Sequence, residues 1–284
     1  MQASLNDVAV VVIPARYGST RLPGKPLADL GGSPLIEHVW RRACEARLPS
    51  RVLVATDDER IRAALPAETE VVMTRADHPS GSDRIAEVAE GLDCGILVNV
   101  QGDLPLLDPT LVDDLIDMLR SDPALGLATV AVPIETGEEF HNPSVVKVVC
   151  DAAGHALYFS RAPIPYARAT PGSPVGGIPG STPGSPAGAL RHVGIYAYRR
   201  DTLLRFARME PTPLERTECL EQLRALENGI VIGVVRHARG VPIEVDTPED
   251  LAAVRLVLAA GTQASATRPQ TTRAAVAAEE VPTS

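Results

Sequence analysis

"VAVVVIPARYGSTRLPGKPLADLGGSPLIEHVWRRACEA", Val8 to Ala46, decides the fold. Its opening, Val8 to Ile13, is an unbroken apolar run of β-branched residues and alanine, which reads as a strand buried on both faces. Its end reads as an amphipathic helix, with Ser33 as N-cap, Pro34 at the first helical position, and Leu35, Ile36, Val39, Trp40 and Ala43 on one face. Between them lies a loop held stiff by Pro23 and Pro26, with three cations, Arg16, Arg21 and Lys25, and no acidic residue from Arg16 to Pro26. Strand, loop and helix in this order open a parallel sheet joined by right-handed crossovers.

The pattern repeats outward from there. "RVLVAT" (Arg51–Thr56), "EVVMT" (Glu70–Thr74), "GILVNV" (Gly95–Val100) and "GLATVAVPI" (Gly126–Ile134) read as strands. Helical stretches separate them: "DERIRAAL", "SDRIAEVAEGL", and "DPTLVDDLIDMLR" with Asp108 as cap. The middle changes character. "SVVKVVCDAAGHALYFSR" reads as a hairpin turning at Asp151–Gly154, and Ala169 to Ala189 is an uncharged Pro/Gly/Ser/Thr tract that cannot build a core. "RHVGIYAYRR" returns to strand. "PLERTECLEQLRALENG" reads as one helix closed by Gly229. "IVIGVV" and "IEV" read as short strands, and "TPEDLAAVRLVLAA" as a helix capped by Thr247. No repeat with a period of roughly 20–50 residues occurs. The expected organisation is a flexible segment 1–7, one domain over 8–260 with a mobile loop at 169–189, and a disordered tail, 261–284.

Composition sets further bounds. The 284 residues are 45% hydrophobic but only 3% aromatic, so the core must be aliphatic. The formal net charge of −9 argues against a nucleic-acid binder. Cys44, Cys94, Cys150 and Cys219 form no C-x-x-C pair, which fits a reducing cytoplasm. No apolar run approaches the ~20 residues of a membrane helix, so no membrane insertion is expected.

A cationic loop in an acidic chain asks for an anionic ligand. In an open parallel sheet, ligands bind beyond the carboxyl ends of the strands, where this loop begins. It is neither a Walker P-loop nor G-x-G-x-x-G. It offers Arg16, Arg21 and Lys25, hydroxyls at Ser19 and Thr20, and backbone made approachable by glycine, which are parts for a polyphosphate cradle. "VNVQGDLP" puts Asp103 just past one strand and "PIEVDTPEDL" puts Asp246 just past another, on the same sheet edge as the loop. Two carboxylates with phosphate oxygens suit Mg²⁺. On local pattern alone, Asp103 also reads as a turn residue and Asp246 as a helix-entry residue.

These features, in this order, resemble the 3-deoxy-manno-octulosonate (KDO) cytidylyltransferase family, the CMP-KDO synthetases of lipopolysaccharide biosynthesis. The resemblance is carried by "IPARYGSTRLPGKPL", "MTRADHPSGSDRIAEV", "VNVQGDLP", "NPSVVKVVCDAAGHALYFSRAPIP", "RHVGIYAYR", "PLERTECLEQLR" and "VDTPEDL", over most of Val8 to Leu258. It implies an α/β fold of the nucleotide-diphospho-sugar transferase kind, a doubly wound mixed sheet with a smaller β-rich sugar and dimer subregion. It implies CTP and KDO as substrates, Mg²⁺ as cofactor, a cytoplasmic homodimer, and transfer of CMP to the anomeric 2-hydroxyl of KDO with release of pyrophosphate.

By motif, Arg16, Ser19, Arg21 and Lys25 would hold the CTP phosphates, and Arg75, Ser80 and Gln101 would lie at the nucleoside. Lys25, Asp103 and Asp246 would be catalytic, the two aspartates binding the metal. Arg161, His192, Tyr196, Glu221 and Gln222 would form the sugar-acid pocket, with Arg161 on the carboxylate. His192, Tyr196 and Tyr198 share a strand face and read equally as packing. The chain departs from the family at Leu104, where a glutamate is usual, so a change in the electrostatics beside Asp103 is expected. A cytidylyltransferase for another 2-keto sugar acid, an amino-deoxy KDO analogue or a sialic acid, and a catalytically weak nucleotide-binding homologue are the alternatives.

Overall fold

The computed structural model describes residues 7–18, 22–166, 168, 188–238 and 243–266. Ser19, Arg21, the tract from 169 to 187 and the tail from 267 onward lie outside the described residues.

The opening apolar run forms β1 (Ala9–Ala15) and is buried from both sides. Ala9, Val11, Ile13 and Ala15 face one core, while Val10 and Val12 face the other. Period-two alternation between two apolar layers is what a central strand requires. The other strands of the main sheet are β2 (Arg51–Thr56), β3 (Glu70–Met73), β4 (Ile96–Asn99), β5 (Leu127–Pro133), β6 (Lys147–Cys150), β7 (Ala156–Ser160), β8 (Leu190–Arg199) and β9 (Ile232–Arg236). The sheet runs β9-β5-β8-β4-β1-β2-β3, with β6 on β8 and β7 on β6. β1 pairs in parallel with β2 and β4, and β9 with β5, whereas β8 runs antiparallel to β4 and β5. The sheet is therefore mixed, with its winding reversing at β1, and ligands collect at such a switch point.

Helices cover both faces. α1 (Leu35–Cys44), α4 (Thr110–Ser121) and α9 (Pro248–Ala266) pack on one side through residues such as Ile36, Leu115 and Val254. α3 (Gly81–Glu90), α6 (Arg200–Phe206) and α8 (Gln222–Glu227) pack on the other through Ile85, Phe206 and Leu223. α2 (Glu59–Ala63), α5 (Gly137–His141) and α7 (Pro213–Glu218) are short connectors. None of the described helices is long and apolar enough to cross a membrane.

Several boundaries differ from the sequence reading. Ser33 does not cap α1: Pro34, extended at φ −67° and ψ 149°, occupies the N-cap position without a side-chain bond. A short ladder with Asp29–Leu30 takes up Ser33 and Pro34 instead. Among the described residues Ile243–Val245 forms no strand: one backbone bond, from Val245 N–H to the Asp103 carbonyl at 2.9 Å, joins it to a neighbour. "PLERTECLEQLRALENG" is two helices, α7 and α8, broken at Cys219, whose φ is +53°. The last helix continues to Ala266, past the end read for the folded body. Leu104 is fully buried and packs in the α1/α4/α9 core.

Gly126 enters β5 under tight packing: a Cβ there would lie 2.6 Å from Ile230 Cγ2 and 3.1 Å from Thr202 Cγ2. Gly126→Ala is expected to destabilise the protein by about 1–3 kcal/mol through overpacking. Chemical denaturation should show this as a lower midpoint at unchanged slope.

Candidate functional site

The loop after β1 is pinned at its mouth. Gly24 N–H donates to the Tyr17 carbonyl at 3.3 Å, and Gly24 itself sits at φ +69°. The Tyr17 ring lies against Gly24 and also carries the Arg60 guanidinium, 3.4 Å from the ring centre. A cation over an aromatic face stabilises this arrangement. A 3-10 turn, Lys25–Leu27, follows and turns Lys25 back toward the strand ends.

Gly102 lets the β4 loop approach β1 closely, for a Cβ at that position would meet the Pro14 carbonyl oxygen at 2.8 Å. That approach, and the Val245–Asp103 backbone bond, bring Asp103 and Asp246 side by side. Lys25 lies between them: Nζ donates to Asp103 Oδ2 at 2.8 Å and to Asp246 Oδ1 at 3.0 Å. Burial opposes the Lys25 charge, but the two carboxylates outweigh it and hold the ammonium's pKa above its ordinary value. Asp250 fixes the Asp246 backbone by accepting from its N–H and from Thr247, so Thr247 caps α9 as expected.

Two cavities meet at these aspartates. The first, about 290 Å³, is lined by Arg16, Lys25, Ser80, Arg84 and Gln101 as well as by Asp103 and Asp246. Ser80 caps α3, accepting from Asp83 N–H at 3.2 Å, so the N-terminus of that helix borders the cavity. Helix N-termini favour anions. Arg84, which the sequence reading passed over, is nearly buried and held by Asp57 at 3.2 Å and by Thr74. Its signal was an arginine on the inward face of α3, four positions after the Ser80 cap.

The second cavity, about 450 Å³, shares Ser80, Gln101, Asp103 and Asp246 with the first and extends over Tyr196, Tyr198, Glu221 and Gln222 to Glu244. Glu221 accepts from Ser82 Oγ at 2.9 Å. Glu244 is a second residue the sequence reading missed, although its spacing of two from Asp246 was available. Burial and the neighbouring Asp103 push its carboxyl up from the ordinary range.

Three expected site residues lie elsewhere. Arg75 points away from the first cavity into a neighbouring surface groove, drawn by Asp77 at 3.8 Å and Glu87 at 3.7 Å. Arg161 does not line the second cavity: its guanidinium donates to the carbonyls of Glu218, Pro143 and Cys219. His192 lies behind the wall, within an aromatic row of Phe159, His192, Tyr196 and Tyr198. Thr129 Oγ1 donates to the Ile195 carbonyl at 2.8 Å, so it accepts from His192 Nε2 at 3.0 Å.

Burial, aided by Arg191, lowers the His192 pKa to about 3. The folded value lies below the unfolded one, so stability is complete above about pH 6.5 and is lost as pH falls toward 3. At pH 5 the expected loss is about 2 kcal/mol. Denaturation of wild type and His192→Asn across this range checks it. An equal pH slope in both would show that His192 does not carry the effect.

Comparison with known proteins follows the same lines. A family model described as cytidylyltransferase matches residues 10–233. The 3-deoxy-manno-octulosonate cytidylyltransferase of Syntrophotalea carbinolica is 50% identical over 244 residues, covering 86% of this chain and 95% of the relative. That of Halorhodospira halophila is 51% identical over 248 residues, covering 86% and 94%. A solved structure of CMP:2-keto-3-deoxy-manno-octonic acid synthetase complexed with CTP superposes with a TM-score of 0.80 at 44% identity, covering 89% of this chain and 99% of the other. A 4-diphosphocytidyl-2C-methyl-D-erythritol synthase from Anaerococcus prevotii, 12% identical with a TM-score of 0.58, shares the fold.

Proposed function

The chain belongs to the 3-deoxy-manno-octulosonate cytidylyltransferase family, and we propose that it transfers CMP from CTP to the anomeric 2-hydroxyl of KDO, for lipopolysaccharide biosynthesis. The observation that carries this reading is the pair of cavities sharing the wall at Asp103 and Asp246. A nucleotide in one and a sugar acid in the other would meet at that wall. The sugar oxygen then bonds to the α-phosphorus as the bond to the pyrophosphate oxygen breaks, and the hydroxyl proton passes to the Asp103 carboxylate or to water. Holding two anions in line is most of the catalytic task. Lys25 and Arg16, with Arg21 of the same loop, offset phosphate charge, and the Ser19 hydroxyl donates to a phosphate oxygen. Ser80 and Gln101 border the nucleoside, and Tyr196, Glu221 and Gln222 hold the hydroxyls of the sugar acid.

The two carboxylates fit Mg²⁺. They already hold a cation between them, and oxygen donors at partly open positions suit that ion. Bound by Asp103 and Asp246, it would supply charge neutralisation at the phosphates.

The reading includes a cytoplasmic homodimer. It is supported by four free thiols and by exposed apolar side chains, Leu157 on the β6–β7 hairpin at 61% and Tyr166 in the loop after β7 at 89%. Light scattering of wild type and Leu157→Glu tests the dimer.

Pyrophosphate release from CTP, measured with KDO, an amino-deoxy KDO analogue and a sialic acid, tests the activity. KDO is expected to support the fastest release. Faster release with another sugar acid, or none with any, would overturn the assignment.

A further inference from the structure

The corner between α7 and α8 carries Glu221 and Gln222 into the second cavity, and it turns through a strained residue. Cys219 sits in the left-handed region at φ +53°, where a side chain costs roughly 1 kcal/mol or more. Such a residue persists only where its surroundings over-determine it. Here they do. Arg161 Nε donates to the Glu218 carbonyl at 2.8 Å and Nη2 to the Cys219 carbonyl at 3.4 Å, which ties down both carbonyls at the break. Nη1 reaches the Pro143 carbonyl at 3.1 Å.

The Glu218 carboxylate answers in the opposite direction. It accepts from Ser160 Oγ at 2.6 Å and from Arg161 N–H at 2.9 Å. Behind it, the fully buried Lys147 donates to the carbonyls of Asn142, Val145 and Arg161, at 3.0, 2.6 and 2.6 Å. The end of the β6–β7 hairpin and the α7–α8 corner are thus joined by reciprocal charged bonds, each strong because it is charge-assisted and partly desolvated.

From this we infer that Arg161 and Glu218 are positioning residues for the sugar-acid cavity. They lock the Cys219 turn, and the turn aims Glu221 and Gln222. This rests on the reading of the second cavity as the sugar-acid side. It replaces the expectation that Arg161 holds the substrate carboxylate, because Glu218 lies outside the cavity and yet should matter as much as Arg161.

The test compares Glu218→Ala, Glu218→Gln, Arg161→Met and wild type by steady-state kinetics with each substrate varied, and by amide hydrogen exchange over residues 213–228. Glu218→Ala and Arg161→Met are each expected to raise KM for KDO about tenfold and leave KM for CTP within about twofold. Exchange at the corner should speed up about tenfold or more in both. Glu218→Gln should recover most of the loss, since its carbonyl can still accept from Arg161 N–H while the Ser160 hydroxyl turns to accept from the amide.

Raised KM in Arg161→Met alone, with corner exchange unchanged, would make Arg161 a substrate ligand and overturn the proposal. Unchanged exchange and KM in both variants would overturn it too. If Glu218→Ala fails to fold, Ser160→Ala, which removes a donor to the Glu218 carboxylate without touching Arg161, takes its place, and the same outcomes decide. Wild type inactive with KDO would sink the functional reading alone, while the exchange data would still judge the corner.

Discussion

Asp103→Asn and Asp246→Asn are each expected to lower turnover by about a hundredfold or more while leaving the fold intact. Each carboxylate contributes one oxygen to a cation position shared by both cavities. Asparagine keeps the shape and one oxygen but removes the charge that a divalent ion needs. The side chains are 24% and 31% exposed and belong to neither apolar core, so stability has little reason to move. Calorimetric titration with Mn²⁺ gives a readout apart from activity, and binding should weaken in both variants. Turnover above about a tenth of wild type at saturating Mg²⁺ would show that the substituted residue does not bind the metal.

What the sequence made legible was whatever depends on local pattern. The unbroken apolar run of β1 needed only the rule that strands buried on both faces do not alternate in polarity. Asp103, past the end of β4, could be placed at the edge where the β1 loop begins because parallel strands share a direction; Asp246 reaches that edge without a strand, through the Val245–Asp103 backbone bond. The partnership with Lys25 was not visible, since it joins residues 78 and 221 positions apart. Sequence shows that a lysine is cationic, not which anion will reach it.

The position of Arg161 was hidden for a related reason. Its type suits a carboxylate, yet two carbonyls at the helix break, Glu218 and Cys219, and that of Pro143 take its donors first. The break was itself hidden, because no glycine or proline marks Cys219 and the apolar spacing continues across it. Only packing around the corner enforces that conformation. Ile243–Val245 failed because a strand is a property of two segments, and among the described residues a single backbone bond, Val245 to Asp103, makes no ladder.

Lys25→Met should separate two consequences of one ammonium. Methionine approximates the stem in length and bulk and removes the charge. With CTP and KDO present, turnover is expected to fall about a hundredfold or more, since a preorganised cation at the phosphates is lost. Without nucleotide the same substitution should do the opposite for metal: the ammonium occupies the space between the carboxylates, so an incoming divalent ion must displace it. Its removal should tighten Mn²⁺ binding by about tenfold, equivalent to about 1.4 kcal/mol. Loss of any nearby positive charge would help a cation somewhat, so Arg16→Met serves as the comparison. Arg16 lines the first cavity but is exposed, and screening should limit its effect to about twofold. Equal tightening in the two variants would mean a general field rather than displacement at the carboxylates. No tightening in Lys25→Met would mean that the ammonium yields without cost. Turnover within tenfold of wild type would remove Lys25 from the phosphate site. The combination expected, weaker catalysis with tighter metal, follows only if one side chain guards the carboxylates until the nucleotide draws it away.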